Sequence, residues 1–421
     1  MSGHYAYLGG DALHTGMYLA LIQRLEREGL TVDFVPRIKV SPLDLAGWNL
    51  GSAPDHIGPN PIATVREQIQ GQVLPVPVWW PAPWLSAGVL ERGLGGCSAD
   101  RRIVLHARLI VMGRLGLALR RRCPSVRVIF ELEGDTIAEA DYKFSQLARP
   151  SLRERVRFWL EKRFWLRYER RVLGESDAIA CVSHKLKGVI IRRYGIPAER
   201  VHVFPSVASR DRFFFDPERR ARRRQALGLD DRFIVTYNGN LVGRWQVPEK
   251  LVEAFRIIQA DRPDAVFLVL TPEDHFRNIL PHLEASGLPK ESYRLRSCPH
   301  PEVVDHLCAA DVGLLLRDRH PMNEAAAPGK FAEYVLCGLP IVMTDGIGDF
   351  SEHAKASPYA CVLPGLDDLS ALRPVLREFC ARTFTNEQRE AFSRWGAERF
   401  AIELYVPELA ALYRSLAGEA T

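Results

Sequence analysis

The sequence predicts an α/β protein built on parallel sheets with helices packed over them. Three observations carry this. Short apolar runs of strand length alternate with stretches whose apolar residues recur near every 3.6 positions. Glycine or proline punctuates the joins, as at Gly29 and at Gly338 to Pro340. The alternation then restarts after a strongly charged segment, SRDRFFFDPERRARRR at 209–224, so one alternating set becomes two.

Taken in order, a first strand is expected at His4–Leu8, followed by Gly9 and Gly10. A helix is expected from Leu13 to Arg27, since Leu13, Met17, Ala20, Leu21 and Leu25 share one face. Gly29 ends it and Thr31–Val35 forms the next strand. Residues 41–100, with VPVWWPAPW, read as loops and short strands. Strand-like runs return at Ile103–His106, Val126–Phe130, Ala178–Val182 and Val201–Phe204. The second set places strands at Phe233–Tyr237, Ala265–Leu270, Tyr293–Arg296, Val312–Leu315, Pro340–Thr344 and Ala360–Val362. Helices fall between them at Pro248–Gln259, Pro301–Ala309 and Lys330–Cys337, with a last helical stretch over 386–417. The domains are therefore drawn at 1–208 and 209–390, with 391–421 a helical segment returning to the first domain.

Composition narrows the class. A chain of 421 residues suits two or three domains. With 47% hydrophobic and 25% charged residues, a disordered or collagen-like chain is excluded. The net charge of +5 is mild and does not call for nucleic acid. Eight cysteines show no CxxC pair, and most sit in apolar runs such as AIACVS around Cys181. They read as buried thiols, neither a zinc site nor a disulfide frame. MSGHYAYLGGDALHTG lacks the pattern of a signal peptide, and no apolar run reaches about 18 residues. The expected location is the cytosol, with the inner face of a membrane as a further expectation.

Four stretches carry candidate chemistry. In RDRHPMNEAAAPGKFAEYVLCGLP, Pro328 and Gly329 lead a loop into a helix, and Lys330 and Glu333 share one face of its first turn. An ammonium and open amides suit phosphate, and a carboxylate suits ribose hydroxyls. A plain i,i+3 salt pair has the same spacing. In YNGNLVGRWQVPEKLVEAF, a strand enters a glycine loop carrying Asn240 and Arg244. Arg244 is suited to a bidentate phosphate contact or to solvent. In YLGGDALHT, Gly9 and Gly10 let the backbone approach a ligand, or simply turn it, and His14 follows. In FELEGDTIAE, a strand ends in Glu131, Glu133 and Asp135, at the end of a sheet where ligands bind. Solvated loop acids would look the same.

The segment PxKxxEYxxCGxP at 328–340 resembles the donor-binding segment of family-4 glycosyltransferases of the GT-B fold. ERRVLGESDAIACVSHKLKGVIIRRYGIPAERVHVFPSV and PEVVDHLCAADVGLLL resemble further parts of that family. The resemblance covers most of the chain outside 36–100 and the far C-terminus. It implies two Rossmann-like domains facing a central cleft, and a retaining enzyme that moves a sugar from a nucleotide diphosphate sugar to a glycan, lipid-linked or small-molecule acceptor. Bacterial surface polysaccharide or glycoconjugate synthesis is the implied setting. Glu333 then holds the donor ribose. Lys330 and Arg244 stabilise the leaving diphosphate, with Gly9, Gly10 and Asn240 around the donor. The family's earlier acid falls on Ala325, so Glu324 is the substitute contact with the transferred sugar. Acceptor contacts fall to His14, Glu133 and Asp135. No cofactor or metal is implied, since positioned cations take that role.

Residues 151–173, beginning SLRERVRFWLEKRFWLRYERR, combine arginines with aromatics. Such a helix suits an anionic membrane surface, although many of these aromatics could be core. Two other classes stand beside the enzyme. The departures at Asn240 and Ala325 fit a non-catalytic sugar-nucleotide or partner-binding protein on the same scaffold. A nicotinamide-dependent enzyme has little support, because no GxGxxG follows a strand.

Overall fold

The computed structural model describes residues 2–11, 15–39, 65–79, 82–98 and 100–419. The chain forms two compact units, Met1–Phe204 together with Tyr405–Thr421, and Pro205–Leu404. Each contains a wholly parallel sheet.

The first sheet comprises β1 (Ser2–Asp11), β2 (Val32–Lys39), β3 (Val76–Val78), β4 (Arg101–Arg108), β5 (Val126–Leu132), β6 (Ala178–Cys181) and β7 (Val201–Val203). Its order is β3-β2-β1-β4-β5-β6-β7. The helices are α1 (Thr15–Arg27), α2 (Ala87–Gly93), α3 (Ile110–Arg122), α4 (Thr136–Ser145), α5 (Leu152–Glu175) and α6 (His184–Tyr194). Local chemistry sets several of these ends. Ser151 and Glu154 form a capping box at the start of α5, and left-handed Gly195 ends α6.

The second sheet comprises β8 (Phe233–Asn238), β9 (Ala265–Leu270), β10 (Tyr293–Arg296), β11 (Val312–Leu315), β12 (Ile341–Thr344) and β13 (Ala360–Leu363), in the order β10-β9-β8-β11-β12-β13. FIVTYN and AVFLVL are buried throughout, as parallel strands covered on both faces require. The helices are α7 (Pro217–Leu227), α8 (Pro248–Asp261), α9 (Leu280–Ala285), α10 (Val303–Ala309), α11 (Pro321–Glu324), α12 (Gly329–Leu336), α13 (Phe350–Lys355), α14 (Arg373–Ala381) and α15 (Asn386–Phe400). In each sheet the strand order reverses once, between β1 and β4 and between β8 and β11. Ligands of open α/β sheets bind at the carboxyl ends of strands beside such a reversal.

Several expectations shift. The first strand does not stop before Gly9 and Gly10. It continues to Asp11 with an irregular register between Leu8 and Asp11, so the glycines sit in a bulged strand end. The segment expected as one piece at 391–421 divides. α15 packs on α12, whereas α16 (Val406–Ala417) packs on α1, β1 and β4. The unit boundary falls at Phe204–Pro205, just before the charged segment at 209–224. Cys97 and Cys123 are joined in a disulfide, contrary to the expectation of thiols alone. Their Cα atoms are 5.6 Å apart, a proximity that only the fold creates. The other six cysteines are free, five of them buried.

Before β11 the second unit buries an ionic cluster. Asp311 accepts from the Ile234 amide at 2.8 Å, Arg220 at 2.5 Å, Arg224 at 3.0 Å and Arg389 at 3.3 Å. Burial pushes its carboxyl up, but the three guanidiniums and the amide hold it below its ordinary value. Asp311→Ala is expected to destabilise the unit by about 3–5 kcal/mol, because it strands buried cations. Denaturant unfolding checks this. Since the folded carboxyl titrates lower than the unfolded one, its contribution is present at neutral pH and lost as pH falls through the folded value.

Candidate functional site

The site in the second unit forms where β8 and β11 end. After β8 the chain passes Gly239, which has φ of 130°, into a loop and the single turn Arg244–Gln246 before α8. A side chain at Gly239 would overlap that of Lys330, so glycine serves both the backbone conformation and the close approach. Val247, at the start of α8, is left-handed at φ 41° despite its branched side chain. Strain of this kind gathers at ligand sites. α12 starts at Gly329 after Pro328, with no side-chain cap. A Cβ at Gly329 would meet nothing within 4 Å, so the helix start faces open space.

Lys330 donates to Gln246 Oε1 at 3.2 Å and lies 5.1 Å from the centre of the Tyr237 ring. Burial and the nearby Arg317 charge push its ammonium down to about 7, against a smaller opposing effect of Glu333. Arg317, just past β11, is itself buried. It donates to Asn323 Oδ1 at 3.2 Å, and its Nε has no partner. Burial pushes it down to about 10. Among the described residues neither cation has an ion pair within 4.0 Å.

Glu333 is held from one side. Asn238 Nδ2 donates to its Oε2 at 2.7 Å, while His300 Nε2 lies 3.9 Å from its Oε1. Arg212 is pushed down by burial and drawn back by the Glu333 charge, and its Nη2 is buried without a partner. Tyr334 ties α12 to the sheet, its hydroxyl accepting from the Asn238 amide at 2.8 Å. The cluster therefore joins Lys330, Arg317, Arg212 and Glu333, with more cationic than anionic groups. An anion with several acceptor oxygens, such as a diphosphate, supplies what this arrangement lacks.

The structure brings Lys330 and Glu333 together as the sequence suggested, and separates other candidates from them. Arg244 is exposed and has no ion pair among the described residues, so the second buried cation is Arg317. Asn240 is exposed and offers its carbonyl to the Tyr237 hydroxyl, while Asn238 makes the contact with Glu333. Glu324 is half-exposed, 3.7 Å from Arg319, and among the described residues no hydrogen bond or ion pair joins it to Lys330 or Glu333. Ala325 is buried. Arg317 escaped notice because it follows an apolar run without a motif. Its place directly after a central strand was the available signal.

In the first unit, Glu131 is half-buried among polar neighbours. Tyr7 donates to it at 2.7 Å, and His106 Nε2 lies 3.4 Å away, its Nδ1 2.8 Å from the Tyr413 hydroxyl. Burial raises this carboxyl, but His106, Arg108 and Tyr7 outweigh it and hold it at about 2. Glu133 is paired with Arg108 at the ends of β5 and β4. Asp135 is committed to the fold, which corrects its reading as an acceptor contact. It caps α4 through the Ile137 and Ala138 amides, both at 3.1 Å, and grips Arg193 at 2.5 and 2.6 Å. Gly9 is buried in the bulged end of β1, which Gly10 shares; His14 lies outside the described residues. The one group of potential metal-ligating side chains found among the described residues is Glu91, Cys97 and Cys123, whose cysteines form the disulfide.

Residues 18–212 match the family model described as Glycosyltransferase Family 4. A GDP-mannose-dependent alpha-(1-6)-phosphatidylinositol monomannoside mannosyltransferase of Mycolicibacterium smegmatis is 27% identical over 175 residues, 41% of this chain. The match spans 45% of that relative's length. Among solved structures, Anabaena Alr3699/HepE in complex with UDP superposes with a TM-score of 0.67 at 12% identity, covering 98% of this chain and 100% of that one. WaaG, a glycosyltransferase involved in lipopolysaccharide biosynthesis, gives 0.60 at 17% identity, covering 98% of each. A glycosyltransferase from Rickettsia africae gives 0.64 at 11%, covering 99% and 100%. At these identities the structures show a common fold.

Gly239→Ala tests the geometry. It is expected to lower stability by about 1–3 kcal/mol through the disfavoured φ and to displace Lys330. Thermal unfolding should find a folded protein whose stabilisation by inorganic pyrophosphate is lost.

Proposed function

This chain is family-4-like in sequence and GT-B in fold, and we propose that it is a glycosyltransferase that uses a nucleotide diphosphate sugar as donor. The observation that carries the proposal is the pair of desolvated cations, half-buried Lys330 and buried Arg317, beside a carboxylate and an open helix start at the sheet's reversal point. Glu333, steadied by Asn238, accepts hydrogen bonds from the ribose hydroxyls. Lys330, Arg317 and the amides at the start of α12 receive the diphosphate.

When the bond between the sugar's anomeric carbon and the diphosphate oxygen breaks, negative charge grows on that oxygen. Lys330 and Arg317 stabilise it in the transition state, which lowers the barrier. Lys330 is near its titration point alone, and the arriving phosphates favour its charged form. The charge is supplied by side chains, and no metal or cofactor enters this reading. Transfer proceeds with retention, to a glycan, lipid-linked or small-molecule acceptor recognised by the N-terminal unit, where Glu133 remains a candidate contact. The setting is synthesis of bacterial surface polysaccharide or glycoconjugates. The donor classes to try first are UDP and GDP sugars, because a neighbour in fold was solved with UDP and a relative in sequence uses GDP-mannose.

A second reading is a binding protein without turnover, favoured by buried Ala325 where the family has an acid and by half-exposed Glu324. Slow donor hydrolysis separates the two, since a catalytic site hydrolyses its donor and a binding site does not.

Lys330→Ala, Arg317→Ala and Glu333→Ala should each reduce transfer more than about tenfold, a loss of at least about 1.4 kcal/mol of transition-state stabilisation. Thermal unfolding must show the variants folded. A screen of UDP, GDP, ADP and their sugars should show one base raising the wild-type melting temperature. Wild-type turnover in Lys330→Ala and Glu333→Ala together would remove the assignment.

A further inference from the structure

The long helix α5 is held by one side and bare on the other. Towards the first unit, Phe158 stacks on Phe144 of α4 with ring centres 4.2 Å apart, and Lys162 meets Asp141 at 2.7 Å. Only Glu169, Val172 and Leu173, near its C-terminal end, are fully buried. A soluble helix of this kind should turn polar side chains outward. Here the outward face is apolar. Leu152, Val156, Trp159 and Leu160 follow at i, i+4, i+7 and i+8, and they are 78%, 50%, 55% and 56% exposed. Phe164, 38% exposed, continues the stripe.

The charges on that face have one sign. Arg153, Arg163 and Arg167 are exposed along the same stretch, and Arg163 stacks over Trp159 at 4.8 Å. The acids Glu154 and Glu161 lie instead along the groove against α4, with Arg157, Phe158 and Trp165. A second segment adds to the surface. The turn Pro83–Ser86 exposes Trp84 and Leu85, at 47% and 56%. Arg114 of α3 bridges it to α5, lying 4.9 Å from the Trp84 ring and 4.1 Å from that of Tyr168. Two segments far apart in sequence thus form one apolar, aromatic and cationic surface.

We propose that this surface, made by the outer face of α5 with Trp84 and Leu85, docks the protein on an anionic lipid bilayer. Leucine, valine and tryptophan enter the boundary between headgroups and acyl chains, while the arginines reach the phosphates. Charge selects the occupant. A second copy would bring the same arginines against these, and a neutral bilayer would leave them without counterions. No helix among the described residues is long and apolar enough to cross a membrane, so the contact is peripheral. The inference is independent of the donor site, and its failure would leave the nucleotide-dependent melting shift untouched.

The test is flotation of the full chain with vesicles of phosphatidylcholine alone or of phosphatidylcholine and phosphatidylglycerol in equal parts. Wild type should float with the anionic vesicles and stay behind with the neutral ones, and salt at about 0.5 M should weaken binding, because screening shortens the reach of the arginines. The pair Trp159→Glu and Leu160→Glu should lower the bound fraction at least about tenfold. Trp84→Glu alone should lower it measurably, since it alters the second segment without touching α5. Unchanged melting temperatures must accompany both losses. If Trp159→Glu with Leu160→Glu does not fold, Trp84→Glu and Arg153→Glu with Arg163→Glu carry the test. The proposal is overturned if wild type fails to float with anionic vesicles at low salt, if folded variants float as wild type does, or if the surface proves to pair two copies in sedimentation.

Discussion

Two positive side chains, Arg317 buried and Lys330 half-buried, lie at the reversal of the second sheet with too little negative charge beside them. The organisation of the strand ends in that unit follows from this constraint. Desolvation disfavours both charges, and the Arg317 charge adds to the effect on Lys330, which is why Lys330 falls to about 7 and Arg317 to about 10. A structure keeps such an imbalance when something outside the chain completes it. Contrast the Asp311 cluster, where three arginines converge on a carboxylate and backbone carbonyls. That cluster is closed and structural. The one at Lys330 is open.

The scaffold makes the imbalance tolerable by placing it where parallel strands end. Gly239 gives Lys330 room, Tyr334 ties the second turn of α12 to the end of β8, and Gly313 leaves space for the Tyr334 ring, since a Cβ there would fall 2.7 Å from it. The first unit uses the same architecture differently. Its polar groups at the strand ends satisfy one another, with Glu131 held by Tyr7 and His106 and the latter tied to Tyr413 of α16. The C-terminal helix is therefore part of the first unit's polar core as well as its packing.

The parallel sheets were legible because buried parallel strands are short apolar runs, and those at Ala265–Leu270, Tyr293–Arg296 and Val312–Leu315 have the same bounds in the structure. Lys330 and Glu333 were legible because helix periodicity alone puts them on one face. Arg317 and Asn238 were not, since their meaning comes from strands adjacent in space and distant in sequence. Arg244 and Asn240 attracted attention by position within a loop, yet loop conformation turns them to solvent. Asp135 could not be told from a substrate-binding acid until Arg193, from another helix, was seen to occupy it. The disulfide between Cys97 and Cys123 was hidden by a separation of 26 residues. The basic aromatic helix could have been core or surface by pattern alone, and its exposure distinguishes the two.

The most direct measurement is the titration of the Lys330 ammonium by nuclear magnetic resonance, with and without inorganic pyrophosphate, using Lys330→Met to assign the signal. A midpoint near 7 in the free protein, rising by about one pH unit or more when pyrophosphate binds, is the result expected of a buried cation awaiting an anion. A midpoint near the ordinary lysine value of 10.5, or one that pyrophosphate leaves in place, would contradict the account.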